Sequence, residues 1–112
     1  MAALAEYNKK PIGERGNITL QELYGEWSRG RYPELSRSTR ESYSGAWKYL
    51  SELENEEFRD IKTSHIQGII NKMTKDGMSR SSCHKVKVLA GLLYKYALAD
   101  DIVDKNYAEM IT

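Results

Sequence analysis

A single cysteine in 112 residues, Cys83, excludes any disulfide within the chain, and no histidine or second cysteine stands near it at the spacing of a zinc site. A reducing cytoplasm is therefore the expected setting. There are only two prolines, Pro11 and Pro33, and the long stretches between turn signals carry apolar residues at helical spacing, which argues against strands. No run of about 20 apolar residues occurs, and MAALAEYNKKPIGERG lacks the continuous apolar core of a signal peptide, so neither a membrane span nor a membrane anchor is expected. Net charge is scarce too: 17 Lys and Arg against 16 Asp and Glu leave +1. A partner selected by charge must therefore recognise a local excess rather than the whole surface.

What is present reads as one all-α domain. Forty per cent hydrophobic and 29% charged residues are ordinary for a soluble globular chain, and this length can bury roughly 65% of the unfolded surface. Residues 1–17, interrupted by Pro11, Gly13 and Gly16, read as a flexible lead-in or the trailing edge of a preceding domain. The helical domain is expected over 18–108, and 109–112 as the start of a linker.

Thr19 and Glu22 form a capping-box pattern that opens a first helix with Leu20, Leu23, Tyr24 and Trp27 inward, ending near Gly30. Arg29 and Arg31 then complement its carbonyl end. A second box is read in S-T-R-E, Ser38 capping and Glu41 three residues on, with Tyr43, Ala46, Trp47, Leu50 and Leu53 as the apolar stripe. Thr63 is expected to cap a third helix, in which Ile66, Ile69, Ile70 and Met73 face inward and Gly77 ends the helix in a left-handed conformation. Ser79 caps the fourth. Its inner face carries Val86, Leu89, Leu92, Leu93, Tyr96 and Ala97.

Positive charge is concentrated in that fourth segment. Ser79 to Ala99 holds Arg80, Lys85, Lys87 and Lys95 with no acidic residue, a formal +4. Arg80, His84, Lys87, Gly91 and Lys95 fall on one stripe, with Ser81 beside them, a mixture of cations and hydroxyls suited to phosphate oxygens. A second stripe on the second helix, Arg37, Arg40, Ser44 and Lys48, lies beside Ser38, Thr39 and Tyr43. The competing reading of both stripes is a solvated charged face, stronger for the second helix because Glu41 and Glu52 are close. Glu52, Glu54, Glu56, Glu57 and Asp60 against Arg59 make a segment that a polyanion repels, so it must point away from any nucleic acid. Phe58 and Ile61 anchor it. His65 reads as an ordinary exposed histidine and Cys83 as a small half-buried apolar residue, neither as a ligand or nucleophile; no metal and no cofactor is expected.

The series ITLQELYGEW, SRSTRESYSGAWKYL, IKTSHIQ and MSRSSCHKVKVLAGLLYKYALADDIVDKNY resembles the core-binding domain of tyrosine recombinases, the phage and conjugative-transposon integrases. The likeness runs from Ile18 to Ala108 and is closest at Ser36, Thr39 and Tyr43 and over Ala97 to Asn106. Tyr107 stands where that family usually has proline. The resemblance implies a four-helix SAM-like orthogonal bundle that grips one face of double-stranded DNA at a recombination half-site with its second and fourth helices. It also implies a separate C-terminal catalytic domain that supplies the tyrosine nucleophile, and other integrase protomers as partners, so no catalytic residue is assigned here. The isolated chain is expected to be a monomer. A helical protein-interaction module using the Tyr and Trp content is the alternative, and a small free-standing enzyme a third; salt dependence of binding separates the first two.

Overall fold

The computed structural model describes residues 16–111, and the readings made for 1–15 and for Thr112 lie outside them. Four α-helices stand among the described residues: α1 (Leu20–Arg31), α2 (Arg37–Leu50), α3 (Thr63–Lys75) and α4 (Arg80–Ala99), with short 3-10 turns between α1 and α2, between α2 and α3, and after α4. Strands are absent among them apart from one isolated bridge, Thr19 with Glu57. The all-α expectation holds.

The start of α1 shows how the chain satisfies its own backbone. Glu22 N–H donates to Thr19 Oγ1 at 3.2 Å while Thr19 N–H donates to Glu22 Oε1 at 2.9 Å, the expected capping box. Leu20 and Gln21 N–H groups donate to the carbonyls of Glu56 and Glu54 at 2.9 and 3.0 Å. Free amides of the first turn are thereby met by the acidic segment's main chain, which is pinned against α1. Phe58 N–H to Ile18 O at 2.8 Å completes the attachment, and Phe58 and Ile61 lie in the core as anchors.

Two caps differ from expectation. Ser36, not Ser38, caps α2: its Oγ accepts from Thr39 N–H at 3.3 Å, and Glu41 instead pairs with Arg37 at 3.1 Å. Starting two residues earlier adds a bond from Arg40 N–H to Ser36 O and lets Arg37 and Glu41 meet one turn apart. Likewise Lys62 occupies the cap position of α3, where its N–H donates to His65 Nδ1 at 2.9 Å, and Thr63 is the first helical residue. The Thr63 hydroxyl is used elsewhere, donating to Tyr107 O at 2.7 Å. Ser79 caps α4 as expected, and Gly77 at φ +84° ends the α3 turn in the conformation that glycine adopts without strain.

The core is built around α4, which packs against all three other helices and the C-terminal turn. Val86, Leu89, Ala90, Leu93, Tyr94 and Ala97 are buried along it. Leu92 and Tyr96 are only half-buried, and Tyr94, outside the expected stripe, is fully buried. A central helix needs a wider buried arc than a surface helix, and Tyr94 extends that arc toward the segment ahead of α3, where its hydroxyl donates to Ile61 O at 2.7 Å and its ring packs on Phe58. Trp47, expected in the core, is half-buried and stacks on Tyr24 with ring centroids 4.1 Å apart.

Beyond α4 the chain folds back as a strap. Asp101 takes a left-handed turn at φ 57°, Ile102 returns to the core, and Ala108 and Ile111 are buried. The stretch 109–112, expected to begin a linker, therefore includes a core residue, and packing continues to at least Ile111. Gly16, within the expected lead-in, is buried as well.

Candidate nucleic-acid interface

Tyr49, near the end of α2, donates its hydroxyl to Met78 sulfur just ahead of α4, so the end of α2 lies beside the beginning of α4. Between them runs an open groove of about 300 Å³ whose walls include Ser42, Gly45 and Lys48 from α2 and Ser82 and Lys85 from α4. Glu41 is its only carboxylate, held by the Arg37 guanidinium. On the far side of Lys48 and Tyr49 a second groove of about 320 Å³ opens between α2 and α3, with Lys72, Glu52 and Asp76 at its rim. The first groove sets two lysines, in no salt bridge among the described residues, and the hydroxyls of Ser42 and Ser82 against one carboxylate; the second sets two carboxylates against Lys48 and Lys72.

Of the residues singled out on α2, Arg37, Ser38, Arg40, Ser44 and Lys48 are exposed, Arg37 in an ion pair with Glu41. Thr39, Tyr43 and Ser44 have structural partners: the Thr39 hydroxyl accepts from Ser36 Oγ at 2.9 Å, the Tyr43 ring stands edge-on to Trp27 at 5.6 Å, and Ser44 hydrogen-bonds the Tyr24 hydroxyl. Tyr24 and Tyr32 share a further short hydrogen bond. Burial first, then the Tyr32 hydroxyl, pushes the Tyr24 phenol well above its usual range. These tyrosines join α1 to α2 and present little to a ligand.

On α4 the expected stripe is split as well. Arg80, Ser81, His84 and Lys95 are exposed, whereas Lys87 and Gly91 are half-buried. The Gly91 carbonyl accepts from Asn106 Nδ2 of the strap at 3.4 Å, while a Cβ built at Gly91 would meet nothing within 4 Å. Sequence reasoning counted Lys85 as a charge but left it off the stripe; the structure places it on the α2 side, in the groove with Lys48. The signal was available, since Lys85 and Lys87, two residues apart, project about 200° from each other.

Among the described residues no salt bridge engages Arg40, Lys48, Arg80, Lys85, Lys87 or Lys95, while Arg31, Arg37 and Arg59 each pair with a glutamate. Charge on the α4 side is therefore available to a partner. No group of three or more His, Cys, Asp or Glu able to hold a metal ion occurs among the described residues. No described helix is long and apolar enough to cross a membrane.

Compared with known proteins, residues 19–74 match the family described as phage integrase, N-terminal SAM-like domain. That range covers α1, α2 and nearly all of α3, half of the chain, and stops short of α4. No curated protein and no solved structure shows a significant match. The resemblance drawn from residue pattern and the match over 19–74 agree, and the chain belongs to the phage integrase N-terminal SAM-like domain family.

Proposed function

We propose that this domain binds double-stranded DNA for an integrase, holding a core-type half-site during integration or recombination while a C-terminal catalytic domain carries out strand cleavage. The observation that carries the reading is the cationic surface of α2 and α4: Lys48, Arg80, Lys85 and Lys95 are exposed and free of carboxylate partners among the described residues, whereas the acidic 51–60 segment is pinned to the start of α1. Family membership supports an integrase-related role, and charge segregation supports DNA over a protein partner.

The physics sets the strength. Lysines and arginines that neutralise phosphates release counterions, so affinity falls as salt rises, by roughly 0.9 logarithmic units per contact for each tenfold increase. Three or four such contacts give weak binding, on the order of 10⁻⁴ to 10⁻⁶ M near physiological salt. High affinity then requires the catalytic domain to close on the other face of the duplex. Anisotropy of a labelled duplex titrated with this chain at increasing salt tests the proposal. A steep loss of affinity is expected; affinity independent of salt would favour the helical adaptor reading.

A further inference from the structure

We infer that Met78 is a peroxide-sensitive joint between the end of α2 and the start of α4: oxidation of its thioether to the sulfoxide loosens the two helices and reduction restores them, whether or not the chain binds DNA.

The places of the methionines in the fold single it out. Met73 is buried in the core, out of reach of a dissolved oxidant. Met110 is 71% exposed on the strap, where an added oxygen meets only water. Met78 stands between these extremes. It is half-buried, packed against the core yet lining the open groove of about 320 Å³ between α2 and α3, so a small oxidant reaches the side chain while its surroundings still depend on it.

Its main chain leaves it little freedom to turn away. Gly77, at φ +84°, precedes it and Ser79, the cap of α4, follows, while its own N–H donates to Met73 O at 2.9 Å. The sulfur is thereby kept within reach of Tyr49, whose hydroxyl donates to it at 3.9 Å, in a groove walled by Ile69 and Met73. Hydrogen peroxide transfers one oxygen atom to such a sulfur: an S–O bond forms, the O–O bond breaks, the sulfur gives up two electrons and the peroxide leaves as water. A flexible apolar side chain becomes a polar one. The new oxygen is a stronger acceptor than the thioether, so the Tyr49 hydroxyl leaves the sulfur to meet it, and the apolar wall of Ile69 and Met73 gains a neighbour that it has no donor to satisfy. Tyr49 belongs to the last turn of α2 and Met78 directly precedes the cap of α4, so the displacement passes to both helices.

The test is a peroxide titration of the 112-residue chain, with the sulfoxide content of each methionine followed by peptide mass spectrometry and the thermal midpoint read alongside. Met110 should oxidise first and leave the midpoint where it was. As Met78 sulfoxide accumulates the midpoint should fall by several degrees, with Met73 still unmodified, and treatment with methionine sulfoxide reductases should return it to its starting value. Met78→Leu, which keeps the volume of the side chain, should hold its midpoint through the same treatment, whereas Met110→Leu and Cys83→Ser should lose it as the parent chain does. Correlation within the parent chain decides the matter even where Met78→Leu is itself unstable. The inference is overturned if the midpoint falls before Met78 is modified, falls equally in Met78→Leu, or stays unchanged once Met78 is fully converted. It is overturned equally if peroxide oxidises Met110 and leaves Met78 intact.

Discussion

Tyr94 shows what one side chain contributes. It is fully buried, packs its ring 4.5 Å from Phe58 and spends its hydroxyl proton on Ile61 O. Replacing it with phenylalanine keeps the ring and leaves that carbonyl unmet, at an expected cost of about 1 to 2 kcal/mol in urea unfolding. Burial also pushes its phenol above the ordinary range, with Tyr107 adding to the effect. The raised folded-state value means that the unfolded chain loses the proton first. Tyr94 thus favours the native state fully below about pH 10, and that contribution is lost as pH rises above it. In Tyr94→Phe the alkaline decline of the thermal midpoint should be shallower than in the parent chain. At the same scale, Ser36→Ala should cost about 1 kcal/mol and Ser38→Ala far less, since only Ser36 accepts from a free helix amide.

Local pairs were legible in the sequence and tertiary ones were not. Thr19 with Glu22, Gly77 and Ser79 act within three or four residues, so their spacing alone gives their roles. Between Ser36 and Ser38 local spacing favours the wrong one, because a glutamate happens to stand three residues after Ser38, and only the fold shows Glu41 turned to Arg37. Periodicity likewise gave both cationic stripes. It gave no sign that Asn106, fifteen residues on, would reach the Gly91 carbonyl, or that Tyr94 would reach Ile61 across 33 residues of chain.

At the scale of elements, α4 is the axis of the bundle and packs against each of the three other helices. Leu89 is completely buried, so Leu89→Ala should cost about 2 to 5 kcal/mol and lower the urea midpoint accordingly. An unchanged midpoint would mean that the inner face of α4 is misassigned. The strap is a second such element. Ile102, Ala108 and Ile111 pack into the core, and the Lys62 ammonium lies 4.6 Å over the Tyr107 ring. Ending the chain after Asp100 should therefore destabilise α3 and α4 together, seen as faster hydrogen exchange in both, rather than simply trimming a tail. The proline that resembling integrases usually carry after the closing asparagine is Tyr107 here, and its ring makes the contacts with Tyr94 and Lys62 that hold the strap.

For the whole molecule, near-neutral composition conceals a division of charge. The acidic 51–60 stretch is fixed at the start of α1 by main-chain bonds, while Arg40, Lys48, Arg80, Lys85, Lys87 and Lys95, none in a salt bridge among the described residues, line α2 and α4. The proposed function depends on this separation. It is measured most directly by a proton–nitrogen correlation titration of the chain with a half-site duplex and with a scrambled duplex, each at low and high salt. We expect amide shifts along α2 and α4, around Lys48, Arg80, Lys85 and Lys95, that shrink as salt is raised, with the 51–60 amides unmoved. Shifts centred on 51–60, or shifts of equal size at both salt concentrations, would contradict the account.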